Sequence, residues 1–197
     1  LVLHHDIKEL LIVGGAGGVG SWATRLARTR NPQMEIICTA SSDESKAWCQ
    51  RMGAKKVIAH DEIESILGGG SVDGVLCLTE PTPALFQSLA VVIRPYGTIC
   101  LVVAGPSIKS LDCGFVFFKS ASIVTTTVFS SFRTSFSKYS PADEMKKMLD
   151  LLAQSKIQAP ISGPAIDWKD AESALEMLES GHPQGKLALK IASDIER

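Results

Sequence analysis

Glycines are the residues in this sequence best placed to do chemistry. The string Gly14-Gly15-Ala16-Gly17-Gly18-Val19-Gly20 contains Gly15-x-Gly17-x-x-Gly20, and it follows the apolar run Glu9-Leu10-Leu11-Ile12-Val13 directly. Between a strand and a helix, that spacing is the dinucleotide-binding fingerprint. Each glycine has a separate task. Gly15 permits a tight turn, Gly17 lets the backbone approach a pyrophosphate with no Cβ in the way, and Gly20 lets the helix pack closely on the strand. The helix N-terminus then turns its unpaired N–H groups toward the phosphates. Glycine-rich turns also occur as plain loops; the strand before this one, the amphipathic stretch after it and the second strand beyond are what mark it out. No Lys-Ser/Thr pair follows the glycines, which excludes a nucleoside-triphosphatase loop.

The next informative residues stand about 20 positions further on, where an Asp or Glu would bind the adenosine ribose 2′-hydroxyl of NAD(H). Here the chain reads Thr39-Ala40-Ser41-Ser42. With no carboxylate to repel a 2′-phosphate, and with Ser41, Ser42 and Lys46 available to bond or neutralise it, NADP(H) is favoured over NAD(H). Two other readings stay open at this stage. Asp43 and Glu44 follow at once and would reach the ribose if the strand ran longer, and the serines would equally serve as helix caps. No zinc is expected in this chain, because His60 and His182 are far apart and no cysteine stands near either at ligand spacing. His60 reads as a surface residue at a strand end. There is no Gly-x-Ser-x-Gly elbow, so Ser-His-Asp hydrolysis has no support. The catalytic residues are left unassigned; Tyr139 and Lys138 are weak proton-donor candidates.

These residues need a scaffold, and the hydrophobic pattern supplies one. Short β-branched runs alternate with helix-period stretches, the rhythm of an α/β fold: a Rossmann, doubly wound parallel sheet. Strands are expected at 9–13, 35–39, 56–59, 72–78, 98–103 and 123–129, with helices at 43–52, closed by Gly53, and 81–93. In the first helix, Val19, Trp22, Ala23, Leu26 and Ala27 form the stripe expected to face the sheet. Beyond a serine-rich loop at 130–141 a helix is expected at 141–154, and a helix at 168–180 with a strand at 186–191 makes a C-terminal helix–strand tail. Residues 1–6 read as a cut point or cloning remnant, 7–155 as the dinucleotide-binding domain and 156–197 as the tail.

Composition narrows the partners. A formal charge of −1 in 197 residues, with basic residues scattered, argues against nucleic acid and membrane and for a small-molecule substrate. No apolar run or leader pattern points to a membrane or export, so a cytoplasmic location is expected. The five cysteines are odd in number and far apart, as reduced core thiols would be. The uncharged run at 123–129 has no proline to blunt it, and as an exposed sheet edge it would pair with a second copy in a homodimer.

The string Val13-Gly14-Gly15-Ala16-Gly17-Gly18-Val19-Gly20 resembles the coenzyme-binding domain of the medium-chain dehydrogenase/reductase superfamily, in particular its quinone oxidoreductase and zinc-type alcohol dehydrogenase-like members. So do Ser45-Lys46-Ala47-Trp48-Cys49, Met52-Gly53-Ala54-Lys55-Lys56-Val57-Ile58, Leu178-Glu179-Ser180-Gly181 and Gly185-Lys186-Leu187-Ala188-Leu189-Lys190-Ile191. The resemblance implies that Gly105 and Phe129 lie near a nicotinamide, Thr79 near its ribose, and Lys186 against the cofactor. It also implies a separate N-terminal barrel-like domain that supplies much of the substrate pocket, toward which the tail would run. The expected function is that of a coenzyme-binding domain from an NADP(H)-dependent oxidoreductase, a quinone or carbonyl reductase or alcohol dehydrogenase-like enzyme, inactive by itself. The alternative is a non-catalytic NADP(H)-binding or sensing module.

Overall fold

The computed structural model describes residues 7–129, 140–181 and 184–191. Six parallel strands form one sheet in the order β3-β2-β1-β4-β5-β6: β1 Glu9–Val13, β2 Glu35–Thr39, β3 Lys56–Ile58, β4 Val72–Cys77, β5 Ile93–Leu101 and β6 Ser122–Thr125. The order reverses between β1 and β4, as in a doubly wound dinucleotide-binding sheet. Helices α1 Gly18–Arg30, α2 Asp43–Met52, α3 Ile63–Leu67, α4 Pro83–Val92 and α5 Gly114–Phe118 cross between the strands.

Strand alternation divides the core in two. Leu11, Val13, Val75, Cys77, Ile99 and Leu101 pack with Ile63, Phe86, Leu89 and Val116 from α3, α4 and α5. Leu10, Ile12, Ile36, Cys38, Leu76 and Cys100 face the other way, toward Ala23 and Ala27 of α1 and Cys49 of α2. Four of the five cysteines are buried free thiols and Cys113 is exposed.

Local signals account for several boundaries. Ser42 caps α2 by accepting the Ser45 N–H, and Gly53 closes the helix with φ +113°. Thr82 caps α4, which therefore begins at Pro83 rather than at 81. Two expectations need correction. Of the stripe read for α1, Ala23 and Ala27 do pack on the sheet, but the fully buried positions are Gly20, Ser21 and Thr24, and Val19 is 56% exposed. Gly20 is forced inward because a side chain there would strike the Gly14 and Gly15 carbonyls. Ser21 and Thr24 follow it because both hydroxyls are satisfied, by Gly17 O at 2.8 Å and Gly20 O at 2.8 Å. The sixth strand stops at Thr125 instead of running to 129, because β5 ends at Leu101 and the Thr126 N–H to Leu101 O bond, 3.1 Å, is the last that β5 can accept.

Two further helices follow, α6 Pro141–Ala153 and α7 Ala171–Glu179, and beyond α6 the short strands β7 Ile166–Asp167 and β8 Leu189–Lys190 pair in parallel. The expected strand at 186–191 is reduced to those two residues plus a bridge from Lys186 to Ile161.

Candidate cofactor-binding site

The glycine turn lies at the carboxyl edge of the sheet, the end at which doubly wound folds bind ligands. Gly14 has φ +80°, and its N–H donates to Thr39 Oγ1 at 3.0 Å; the Gly15 N–H donates to the Thr39 carbonyl at 3.1 Å. The end of β2 therefore sets the turn. Gly15 packs on a thiol pair, since a Cβ would stand 2.6 Å from Cys38 Cβ and 3.2 Å from Cys49 Sγ. Gly17 lines the cleft, and a Cβ there would meet only the Gly14 carbonyl, at 3.7 Å, so its backbone is open to approach. It is the N-cap of α1, with no side-chain cap and no acidic residue in the first turn, which leaves the helix end to an anion.

A second element holds the turn from behind. Trp48 Nε1 donates to Ser21 Oγ at 2.8 Å, and Ser21 Oγ donates to the Gly17 carbonyl. The tail reaches the same place: Gly185, with φ +58°, lies on Trp48, and its N–H donates to the Ala16 carbonyl at 2.8 Å. This brings Lys186 across Gly18, where a Cβ would stand 2.5 Å from Lys186 Cε and 2.8 Å from Nζ. A cation thus sits at the positive end of α1, an arrangement that makes sense when an anion lies between them.

A cleft of about 260 Å³ opens above, walled by Gly14, Ala16, Gly17, Thr39, Ala40, Ser41, Ser45, His60, Leu78, Thr79 and Gly181. Of the residues expected to bind cofactor, Gly14, Ala16, Gly17, Ser41 and Thr79 line it. Ser42 is occupied as the α2 cap, and Lys46 pairs with Asp43 at 3.9 Å, outside the walls. Because β2 stops at Thr39, Asp43 and Glu44 fall in the first turn of α2. Ser45, His60 and Gly181 line it as well, His60 as the exposed residue just past the end of β3 that the sequence suggested. Ser45 is legible as one turn beyond a strand end, but His60 and Gly181 arrive from β3 and the tail, and nothing local places them at the cleft. His182 and the 130–139 segment, with Lys138 and Tyr139, lie outside the described residues.

Further along the edge, a groove of about 510 Å³ runs between the ends of β5 and β6, lined by Leu101–Ala104, Ile108 and Thr125–Thr127. Gly105 adjoins it, and its missing Cβ makes room for Glu80, whose Oε1 accepts from Ser107 N at 3.2 Å and Ser107 Oγ at 2.8 Å. Phe129, 65% exposed, follows the groove's last threonine by two residues.

Comparison with known proteins turns this geometry into a family. The model of the family described as zinc-binding dehydrogenase matches residues 52–189. The chain belongs to that family. Its similarity to a zinc-type alcohol dehydrogenase-like protein of Staphylococcus epidermidis is 29% identity over 193 residues, 93% of this chain and 55% of that one. A quinone oxidoreductase of Coxiella burnetii superposes with a TM-score of 0.70 at 25% identity, covering 94% of this chain and 53% of that one. Two structures of the same fold are a crotonyl-CoA carboxylase/reductase with NADP, TM-score 0.71 at 18% identity, and Bacillus subtilis yhfP with NAD bound, TM-score 0.67 at 15% identity; the chain, covered to 93% in both, spans 50% and 54% of them. The medium-chain dehydrogenase/reductase resemblance is borne out, and the chain spans about half the length of the relatives just named.

The family's name implies a metal; among the described residues, no three His, Cys, Asp or Glu side chains come together as a possible metal site. No described helix is long and apolar enough to cross a membrane.

Proposed function

We propose that this chain is the coenzyme-binding part of an NADP(H)-dependent oxidoreductase that reduces a carbonyl or quinone-like acceptor. The observation that carries the reading is the cleft over the glycine turn, which ends β2 on Thr39-Ala40-Ser41 without a carboxylate and sets Lys186 over the first turn of α1. The residues fit the cofactor in sequence along the sheet edge. Ser41 and Ser45 offer hydroxyls to a ribose phosphate, and the open backbone at Gly17 with the Lys186 ammonium receives the pyrophosphate. Thr79 stands at the end of β4, midway to the β5–β6 groove. From β2 to β5 is three inter-strand steps, about 14 Å at the usual strand spacing, the scale of an extended dinucleotide.

When bound, the nicotinamide supplies the hydride. The chain's own contribution is position and exclusion of water. Val103, Ala104 and Ile108 give the groove an apolar wall, and Thr125–Thr127 give it hydroxyls. No groove residue is an acid or base, so proton delivery to a substrate is assigned to the rest of a longer protein. That same feature favours the second reading, a non-catalytic NADP(H)-binding module. The exposed β6 edge supports a homodimer as the assembly in either case.

Calorimetric titration with NADPH and NADH side by side tests the reading. Tighter NADPH binding, weakened about tenfold or more by Ser41→Asp, is expected. Equal affinities unaffected by Ser41→Asp would remove the NADP(H) preference, and absence of binding by both nucleotides would remove the cofactor site.

A further inference from the structure

Trp48 of α2 is buried outside the cleft, yet the glycine turn and the tail both rest on it. Its indole N–H donates to Ser21 Oγ at 2.8 Å. The Ser21 hydroxyl has one proton of its own, and two carbonyls of the turn stand within its reach, Gly17 O at 2.8 Å and Ala16 O at 3.3 Å. In a trans peptide the C=O and N–H point in opposite directions. Holding the Gly17 carbonyl inward therefore turns the Gly18 N–H outward, and that N–H is one of the first-turn donors of α1, which have no acceptor within the helix.

The benzo edge of the same ring bears the tail. Gly185 is buried against it: a Cβ there would strike Trp48 Cζ2 and the Pro160 carbonyl and stand 3.1 Å from Cη2. The Gly185 N–H donates to the Ala16 carbonyl and the Lys186 N–H to the Pro160 carbonyl, each at 2.8 Å, and the Lys186 side chain then crosses Gly18. Arg51 braces the indole from its own helix, with the guanidinium carbon 5.3 Å from the ring centroid. Seating the tail in this way sets an ammonium at the positive end of α1, which opposes the seat when no anion is present and favours it when one is. The packing of Gly185 on Trp48 is what holds the tail in place against that repulsion.

We infer that Trp48 is a positioning residue of the cofactor site: it orients the glycine turn through Ser21 and seats the tail through Gly185, so that docking of the tail and binding of the pyrophosphate are energetically coupled. The inference rests on the cofactor-binding reading and adds to it a residue outside the cleft and a linkage between two segments.

The test is calorimetric titration of NADPH into the full chain and its variants at two ionic strengths. Lys186→Met should weaken NADPH about tenfold in the unsubstituted chain, but less than about twofold once Trp48→Leu has unseated the tail. Gly185→Ala disturbs the same contact from the tail side and leaves the sheet and its helices alone. It should abolish the Lys186→Met effect in the same way, so the outcome does not depend on Trp48→Leu folding. Ser21→Ala breaks only the arm to the turn and should weaken NADPH while Lys186→Met keeps its full effect. Linkage requires the reverse as well: amide hydrogen exchange at Gly185 and Lys186 should slow when NADPH is bound, and in Trp48→Leu it should be fast and indifferent to NADPH. A tryptophan that only fills the core would lower the unfolding midpoint and leave the Lys186→Met factor and its salt dependence unchanged. Additive effects of Trp48→Leu and Lys186→Met, or no effect of Lys186→Met in the unsubstituted chain, overturn the inference and leave the cofactor reading standing. If neither NADPH nor NADH binds the unsubstituted chain, both fall.

Discussion

Lys186 is the clearest case of a residue whose role comes from what it lies on. It is about 170 positions from the glycine turn in sequence, yet its stem crosses Gly18 and its ammonium meets the N-terminal end of α1. An ammonium at the positive end of a helix is unfavourable without an anion between them, so on the proposed reading its contribution comes when the cofactor is bound. Lys186→Met keeps the apolar stem and removes the charge. It should weaken NADPH and NADH by similar factors, about tenfold, and flatten the salt dependence of both, measured by titration at two ionic strengths. Ser41→Asp should instead separate the two nucleotides, because its effect is confined to the ribose phosphate. Those two variants distinguish pyrophosphate contacts from 2′-phosphate contacts.

At the scale of elements, the sheet is tied at the edge opposite the site as firmly as the glycine turn is tied at the site. Asp73 of β4 accepts the N–H groups of Lys8 and Glu9, each at 2.9 Å, and Arg94 of β5 bonds Asp73 at 2.8 Å and Glu9 at 2.5 Å. Desolvation pushes the Asp73 carboxyl up, but the N–H groups of Glu9 and Lys8 and the Arg94 guanidinium outweigh it and hold the pKa below the usual carboxylate value. A carboxylate depressed in the folded state stabilises fully above its unfolded pKa of about 3.9 and loses that contribution as pH falls through the folded value. Asp73→Asn should therefore cost about 1–3 kcal/mol at pH 7, and the deficit should shrink below about pH 4. Denaturant unfolding followed by tryptophan fluorescence at both pH values checks this; a deficit independent of pH would mean the side chain acts by packing alone.

For the whole molecule, the question is what covers its exposed apolar positions. Met145 and Leu149 of α6 and Leu175 and Met177 of α7 are each at least half exposed, and the chain spans about half the length of the relatives it matches. The β6 edge is exposed as well. The Thr126 N–H points inward to Leu101 O, so by strand alternation the Thr125 N–H faces outward. Thr125→Pro removes that donor while sparing the bonds to β5, the position at which an edge strand tolerates proline. Light scattering at micromolar concentration should show a dimer for the unsubstituted chain and a monomer for Thr125→Pro. A monomer in both would count against pairing through this edge.

The sequence by itself determined the glycine turn and its flanking strand and helix, the bounds of β1, β2 and α2, and the parallel α/β plan, because these rest on interactions within a few residues: side-chain period, a serine cap and a glycine at positive φ. Only the tertiary structure decided that α1 buries Ser21 and Thr24, where β6 ends and what stands around the cleft. Ser21 and Thr24 are buried polar groups made tolerable by partners within their own helix and, for Ser21, by Trp48 of another; β6 is as long as β5 allows; and His60, Gly181 and Lys186 come to the glycine turn from three separate segments. Those outcomes depend on contacts between distant parts of the chain, and a pattern read along the chain carries no term for them.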